Sequence, residues 1–267
     1  MIYRHKYKRG GTLMKLDLLK DLVKEYIDLD LYAYKEVQLN RRLEYFFKKN
    51  NITDVEKYCL EMKNNTVEKE RFISYVTINV TKFFRDVVFF KSLEEELMKL
   101  DRHKELKIWS AACSYGCEPY TLAMILESLG FRKYTIIATD IDSDVLKLAS
   151  EGIFNDLDIK DIPQTFIEKY FDIDGDKYIL KQALKRNVVF KKHNLLGDSY
   201  EFGFDLIVCR NVVIYFTMEA KKDIYIKFSK CISKNGLLFV GPTEHISNYK
   251  ELGFNQVQPC IYKKQTE

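Results

Sequence analysis

The chain has 267 residues, of which 46% are hydrophobic and 31% charged, and its formal net charge is +4. This length and apolar content suffice for one large domain with a sizeable core and a smaller domain beside it. The nearly balanced charges argue against a dense nucleic-acid footprint, and no apolar run is long enough to cross a bilayer, so we expect a cytoplasmic protein with an acidic protein partner.

The N-terminal third of the chain has helical periodicity after a short aperiodic start. Residues 1–13 contain Lys8-Arg9-Gly10-Gly11 just ahead of Met14, which a translated purine-rich ribosome-binding site would encode. We therefore interpret 1–13 as a non-native extension. Residues 14–80 are predicted to form an N-terminal helical domain. Its second helix carries a basic cluster that is either a solvated face or a docking surface for an acidic helix: Arg41, Arg42, Lys48 and Lys49.

Residues 76–86 join this helical domain to an α/β domain expected over residues 81–267. β-branched and polar residues stand where a plain linker would carry Gly, Pro or Ser, and this composition predicts a lid. The polar members Asn79, Thr81 and Arg85 are also consistent with helix caps or with ordinary surface positions.

Residues 107–120, Lys-Ile-Trp-Ser-Ala-Ala-Cys-Ser-Tyr-Gly-Cys-Glu-Pro-Tyr, predict a strand, a small-residue turn and a helix. Small residues let the backbone approach a ligand, which would face the positive end of the helix. Any strand-turn-helix of an α/β domain remains an alternative. The dinucleotide fingerprint G-x-G-x-x-G is absent, which disfavours a nicotinamide cofactor.

The next predicted strand ends in Thr139-Asp140-Ile141-Asp142, ahead of a helix. An acid at the tip of the second strand is where a nucleotide-binding βαβ unit holds the ribose hydroxyls. We therefore predict Asp140 as a ligand residue and Asp142 as the N-cap of the helix.

The rest of the chain predicts an insertion and then a second central strand. Residues 177–180 and 188–191 look like strands of a short antiparallel insertion at about 172–192. Residues 204–209 form a buried run that ends in Arg210-Asn211, where polar groups of a doubly wound sheet meet its crevice.

Six cysteines lie scattered in segments predicted to be buried, which favours reduced core thiols and no metal site. Cys113 and Cys117 flank the small-residue turn, so a redox or metal role for these two is the alternative.

Five motifs occur in an order that resembles the chemotaxis-receptor methyltransferases, the CheR family, over roughly residues 14–267. They are Thr81-x-Phe-Phe-Arg85, Trp109-Ser-Ala-x-x-Ser-x-Gly-x-Glu-Pro-Tyr120, Ala138-Thr-Asp-Ile-Asp142, Asn194-Leu195 and Cys209-Arg-Asn-Val-x-Ile-Tyr-Phe216. The closing part adds Gly241-x-x-Glu244 and Gly253-Phe254 to Tyr262.

The resemblance implies a class I S-adenosylmethionine-dependent methyltransferase fold. This is a doubly wound, mostly parallel α/β sheet with an N-terminal all-α domain and a small antiparallel β insertion. It also implies methyl transfer from S-adenosyl-L-methionine, with S-adenosyl-L-homocysteine as product, to glutamates in the cytoplasmic helical region of methyl-accepting chemotaxis receptors. We expect a monomer that neither binds nucleic acid nor inserts into the membrane.

The same resemblance implies the site residues. The catalytic residues would be Arg85 and Tyr215. The cofactor would be held by Asn79, Thr81, Arg85, Glu118, Asp140, Asn194, Leu195, Arg210 and Asn211.

The chain departs from the family pattern at two positions in the loop. The family usually has a threonine and a second acid where this chain has Tyr115 and Cys117. Two other functions stay open: a cofactor-binding signalling module without catalysis, and a methyltransferase for a small carboxylic acid or a nucleic acid. Base-labile methyl label on a receptor-sized band would separate these from the main hypothesis.

Overall fold

The computed structural model describes residues 11–265, so most of the segment interpreted as an extension, residues 1–10, lies outside the described residues. The chain divides into two compact units. The helical unit runs to Ile78 and also includes Tyr215–Ala220, and the sheet unit comprises Asn79–Ile214 and the chain from Lys221 onward.

The helical unit is built on an aromatic core. Its helices in the described part of the chain are α1 (Gly11–Ile27), α2 (Glu36–Lys49), α3 (Val55–Asn64) and α4 (Thr66–Val76). Phe46 of α2 packs against Tyr58 of α3 and Phe72 of α4, with ring centroids 5.9 and 5.7 Å away. Asp54 and Asn65 start α3 and α4 by accepting hydrogen bonds from N–H groups of the first turn. The predicted all-α character of this part is confirmed.

The basic cluster on α2 separates into two kinds of residue. Arg42 donates from Nη2 to the carbonyl of Tyr75, and its guanidinium lies 5.2 Å from the centroid of that ring. Arg42 therefore ties α2 to α4. Arg41, Lys48 and Lys49 are exposed.

The sheet unit contains a seven-stranded sheet. Its strands are β1 (Leu106–Ala111), β2 (Tyr134–Asp140), β6 (Val188–Lys192), β7 (Phe204–Cys209), β8 (Ile232–Val240), β9 (Phe254–Gln258) and β10 (Ile261–Lys264). Their order in the sheet is β6-β2-β1-β7-β8-β10-β9. β10 is antiparallel to both of its neighbours, and the other pairings between β6 and β8 are parallel. The predicted doubly wound, mostly parallel sheet is confirmed.

The α-helices that follow the linker alternate with these strands. They are α5 (Val87–Leu97), α6 (Cys117–Ser128), α7 (Ser143–Glu151), α8 (Asp156–Ile159), α9 (Gln164–Tyr170), α10 (Gln182–Lys185) and α11 (Met218–Cys231). β1 and β2 are buried almost throughout, with Ile108 paired to Ile136 on one side and to Leu206 on the other. Continuous burial explains why both sequences are apolar runs without alternation.

The antiparallel insertion differs from the prediction in its strands. It is a three-stranded sheet in the order β3-β5-β4, formed by Ile153–Phe154, Lys177–Leu180 and Phe171–Asp174. The prediction that residues 188–191 belong to it is wrong, because β6 pairs in parallel with β2 in the main sheet. As the outermost strand, β6 alternates between buried and more exposed residues, a pattern that resembles a hairpin strand.

The six cysteines all lie within the described residues, where each is buried and free of a disulfide. Burial raises the pKa of the thiols of Cys113 and Cys117. Thiols of this kind stay protonated and react slowly.

Within the described residues, no helix has the length and apolar content that crossing a membrane requires.

Candidate cofactor and active site

Six of the predicted cofactor residues follow neighbouring strands at one edge of the sheet. β6, β2, β1, β7 and β8 are adjacent and parallel, so the loops after their carboxyl ends meet along that edge. Asn194 follows β6, Asp140 ends β2, Glu118 lies in the helix after β1, and Arg210 and Asn211 follow β7. The sheet thereby gathers residues that lie up to 93 positions apart in the sequence, from Glu118 to Asn211.

The loop between β1 and α6 is shaped to bring backbone close to a ligand. Ala112, Ser114 and Gly116 all have positive φ angles, of 63°, 50° and 94°. A Cβ on Gly116 would lie 3.0 Å from the Cβ of Ala149, so glycine is needed here for both conformation and space. Gly116 begins α6 without a side-chain cap, which leaves first-turn N–H groups of the helix directed towards the edge.

Asp140 and Asp142 have the separate positions that the sequence predicted. Asp142 is fully buried and caps α7, accepting from the N–H of Asp144 at 2.9 Å and of Val145 at 3.3 Å. Its second oxygen accepts from Nδ2 of Asn79 at 2.7 Å. The predicted N-cap is confirmed.

The Asp140 carboxylate, at the end of β2, accepts a hydrogen bond from the small-residue turn that follows the neighbouring strand β1. Its Oδ2 accepts from the N–H of Ser114 at 2.8 Å, and its Oδ1 accepts from the N–H of Asp142 at 3.1 Å. Burial raises the pKa of Asp140, and these backbone N–H groups act in the other direction. Asp140 thus lies at the strand tip where a ribose-binding acid is expected.

Glu118 and Arg210 form the charged centre of the site. The hydroxyl of Ser110 donates to Oε1 of Glu118 at 2.8 Å, and Nη1 of Arg210 lies 3.9 Å from Oε2. The Glu118 side chain is only 12% exposed. Burial raises the pKa of Glu118 to about 7, although the charge of Arg210 and the Ser110 hydrogen bond lower it. Glu118 is therefore expected to gain or lose its proton near neutral pH.

Arg210 is buried between two aromatic rings and anchors the linker segment. Its guanidinium lies 4.9 Å from the ring centroid of Phe90 and 4.8 Å from that of Phe239. Its Nη2 donates to the carbonyl of Arg85 at 2.9 Å and to Oδ2 of Asp86 at 3.1 Å. Among the described residues, its Nε has no hydrogen-bond partner although it is buried. That donor is available to a ligand.

The sequence predicted a lid over residues 76–86. Residues 79–86 of this segment, which we call the strap, are hydrogen-bonded to other parts of the sheet unit. Tyr115 donates from its hydroxyl to the carbonyl of Thr81 at 2.6 Å. The N–H of Phe84 donates to Oγ1 of Thr121 at 3.2 Å. Arg85 donates from Nη1 back to the carbonyl of Val80 at 3.0 Å. The strap thus has a defined conformation, and Tyr115, a departure from the family pattern, helps to hold it.

Asn194 and Leu195 lie in the turn after β6, beside the Asp140 strand tip. The N–H of His193 donates to the carbonyl of Asp140 at 2.9 Å. Asn194 accepts at Oδ1 from the N–H of Leu196 at 3.0 Å, and Leu195 is buried. Both residues therefore lie at the edge of the sheet where β2 and β6 end.

Tyr215 is the one predicted site residue that belongs to the helical unit. It ends the 3-10 turn Val213–Tyr215, and its carbonyl accepts from the N–H of Lys35 at 2.8 Å. The expectation that Arg85 and Tyr215 face one methyl-transfer site stays a prediction.

Sequence reasoning missed three residues that organise this edge. Ser110 and Asp86 bind Glu118 and Arg210, and Glu244 accepts hydrogen bonds from the loop after β7. Glu244 had a signal in the motif Gly241-x-x-Glu244, to which no role was assigned. Ser110 likewise stands in the motif Trp109–Tyr120 without an assigned role. Asp86 carried no signal, because its partner Arg210 lies 124 residues away.

The structure fits a nucleotide-type cofactor at this edge. This edge has a left-handed, small-residue turn and an acid at the tip of β2. Oγ of Ser114 and Nε of Arg210 are among the buried polar atoms of the described residues that have no protein partner. Together with the doubly wound sheet, these features define a cofactor-binding α/β enzyme whose ligand lies across the carboxyl ends of the strands.

Comparison with known proteins identifies the family. The family model described as "CheR methyltransferase, all-alpha domain" matches residues 14–77, and "CheR methyltransferase, SAM binding domain" matches residues 79–260. The chain therefore belongs to the CheR methyltransferase family. Its cofactor is S-adenosylmethionine, and it is a methyltransferase of chemotaxis.

Three relatives match most of the chain, and each bears the name chemotaxis protein methyltransferase. That of Listeria monocytogenes is 38% identical over 258 residues, 93% of this chain and 98% of the relative. That of Borreliella burgdorferi is 33% identical over 271 residues, 95% of each chain. That of Salmonella typhimurium is 33% identical over 238 residues, 85% of this chain and 82% of the relative.

Proposed function

We propose that this protein methylates glutamate side chains in the cytoplasmic helical region of chemotaxis receptors, giving glutamyl methyl esters that adjust receptor signalling. The observation that carries this proposal is the match of both units, rather than the cofactor domain alone, to a methyltransferase family of chemotaxis. The proposal includes a cytoplasmic location, where the receptor helices would be reached.

The cofactor would be held by the residues gathered at the sheet edge. Asp140 would accept from the ribose hydroxyls, and Glu118 and Arg210 would supply the charged contacts. Strap residues, Asn194, Leu195 and Asn211 would complete the set. When bound, S-adenosylmethionine supplies a methyl group on a cationic sulfur, which a carboxylate oxygen can accept directly. The buried, anionic form of Glu118 suits a cationic ligand.

A glutamate acceptor requires no general base from the protein. A glutamate side chain has an ordinary pKa of about 4.3, so it is already an anion at neutral pH. The task of the protein is then to align the acceptor and to exclude water, and alignment can lower a barrier by roughly 7 kcal/mol or more. The strap, held by the Tyr115–Thr81 and Phe84–Thr121 hydrogen bonds, would exclude the water.

Arg85 is assigned the positioning of the acceptor. Its side chain is half-buried, and the hydrogen bond from Nη1 to Val80 fixes the guanidinium on the strap. A guanidinium can orient a carboxylate in a fork, as the acceptor requires. Tyr215 is assigned a hydrogen bond to the acceptor or the closure of the methyl pocket with its ring.

The exposed basic residues of α2 are assigned to receptor docking. Arg41, Lys48 and Lys49 remain exposed, whereas Arg42 is engaged by α4. Exposed cations on one helix would attract an acidic receptor helix and speed its association.

The experiment is labelled methyl transfer from S-adenosylmethionine to membranes of the same cell, followed by mild base that releases methanol from an ester. We expect base-labile label on a receptor-sized band, with the label reduced in Arg85→Ala. Base-stable label would overturn the carboxylate acceptor. Cofactor binding without any label would overturn catalysis. The double variant Lys48→Ala/Lys49→Ala, which leaves the sheet unit untouched, should label more slowly if α2 docks the receptor.

A further inference from the structure

The carboxylate of Glu244 is buried, and the proposed mechanism assigns no role to it. It follows β8 and is only 2% exposed. Its Oε2 accepts from the N–H of Asn211 at 2.7 Å and of Gly241 at 2.8 Å, and its Oε1 accepts from the N–H of Val212 at 2.9 Å. Three backbone donors from two loops thus converge on one carboxylate.

The loop after β7 is bent into a backbone anion site around this group. Asn211 has a φ of 61°, in the left-handed region that asparagine tolerates better than most residues. A left-handed residue turns successive N–H groups to the same side and creates a concavity that binds anions. Here the anion is a side chain of the same protein, so the bent conformation of Asn211 is stabilised from within.

Gly241 leaves the space that the Glu244 carboxylate occupies. A Cβ on Gly241 would come within 2.4 Å of Oε2 and 3.1 Å of the Asn211 nitrogen, so only glycine leaves room for this contact. The Glu244 backbone is also held, since its carbonyl accepts from the hydroxyl of Tyr225 at 3.3 Å. The carboxylate therefore has a fixed position relative to both loops.

Burial and the backbone donors act in opposite directions on the pKa of Glu244. Burial raises the pKa of Glu244, and the N–H groups of Asn211, Gly241 and Val212 lower it. Because these groups only donate, they can satisfy a carboxylate but not an amide nitrogen in its place. Leaving such backbone donors buried without an acceptor is costly, so the loop conformation depends on both oxygens of Glu244 acting as acceptors.

We propose that Glu244 is a positioning residue that holds the loop Arg210–Val212 in the conformation required for cofactor binding. The link to the cofactor rests on the proposed assignment of Arg210 and Asn211 to its site. Glu244 does not contact the reacting groups itself. It acts through the backbone that carries Arg210 and Asn211, and it couples the turn after β8 to the turn after β7.

The test compares Glu244→Gln with the wild-type chain by hydrogen–deuterium exchange of the ligand-free protein and by the Kd for S-adenosylhomocysteine. We expect faster exchange in residues 209–214 and at Gly241, unchanged exchange in β1 and β2, and a Kd weakened by about tenfold. The matched control is Glu96→Gln. Glu96 is a buried carboxylate of the same unit, 5% exposed and paired with Lys99 at 2.6 Å, and it lies outside the loop. The control should show neither effect.

Wild-type exchange at residues 211 and 212 together with a wild-type Kd in Glu244→Gln would overturn the proposal. Faster exchange throughout the sheet unit would also overturn it, since the role would then be general stability. If Glu244→Gln does not fold, Gly241→Ala, which displaces the carboxylate, is judged by the same criteria. Neither readout uses an acceptor, so a failure of the glutamate methylation proposal would leave this test intact.

Discussion

Replacing Glu118 with glutamine should remove a pH dependence from cofactor binding. The Glu118 carboxylate accepts from Ser110 at 2.8 Å and lies 3.9 Å from Arg210, and its pKa is raised to about 7, chiefly by burial. The charges of Glu244 and Arg85 also act on it, in opposite directions. The anionic form attracts a cationic cofactor, and the protonated form does not.

The expected magnitude follows from the titration. With a pKa of about 7, Glu118 is about nine-tenths ionised at pH 8 and about one-tenth ionised at pH 6. If only the anion binds, the Kd for S-adenosylmethionine rises about tenfold between pH 8 and pH 6. Glu118→Gln should bind with a Kd that is independent of pH and at least as weak as that of the wild type at pH 6.

Isothermal titration calorimetry at pH 6, 7 and 8 measures this dependence, in a constant ionic strength. The matched control is Glu127→Gln, since Glu127 lies on the same helix, α6, near its other end. The control should keep the wild-type slope. A flat wild-type profile would refute the reasoning, as would a slope that persists unchanged in Glu118→Gln.

The raised pKa of Glu118 also predicts how the free energy of unfolding depends on pH. In the unfolded chain the Glu118 pKa returns to about 4.3, so between pH 4.3 and pH 7 the folded state keeps a proton that the unfolded state has released. The contribution is therefore fully present below about pH 4.3 and is lost as the pH rises through about 7, a loss of about 4 kcal/mol. Glu118→Gln without ligand should thus resist urea better than the wild type at pH 8. A lower urea midpoint would contradict this sign.

Three further predictions concern the acceptor, the strap and the N-cap of α7. Arg85→Ala and Tyr215→Phe should lower kcat more than they weaken cofactor Kd, and equal losses in both measurements would remove these residues from the catalytic set. Tyr115→Phe deletes the hydroxyl that donates to the Thr81 carbonyl. The cofactor Kd should weaken by about fivefold to tenfold, with an unchanged urea midpoint. An unchanged Kd would show that the strap does not need this hydrogen bond. Asp142→Ala removes the α7 cap and should cost about 1 to 2 kcal/mol in urea unfolding, and a loss under 0.5 kcal/mol would contradict the cap's importance.

Much of the site was predictable because its signals are local. The small-residue turn around Gly116, the acid at the tip of β2 and the cap at Asp142 each depend on a few consecutive residues, and the structure has each feature where the sequence predicted it. The strand β6 was misplaced for the same reason. Its alternation shows one exposed face, and whether that face belongs to a hairpin or to the edge of a large sheet depends on a partner strand, β2, about 50 residues away.

The class of fold, the α/β alternation and the order of the motifs can be inferred from the amino-acid sequence, since periodicity and turn chemistry act over short spans of chain. The distribution of charge in the site depends instead on the folded structure. The pKa of Glu118 depends on burial and on Arg210, which is 92 residues away, and the conformation of Asn211 depends on Glu244, 33 residues away. Burial and long-range hydrogen bonds exist only after the strands have assembled, so no local pattern records them.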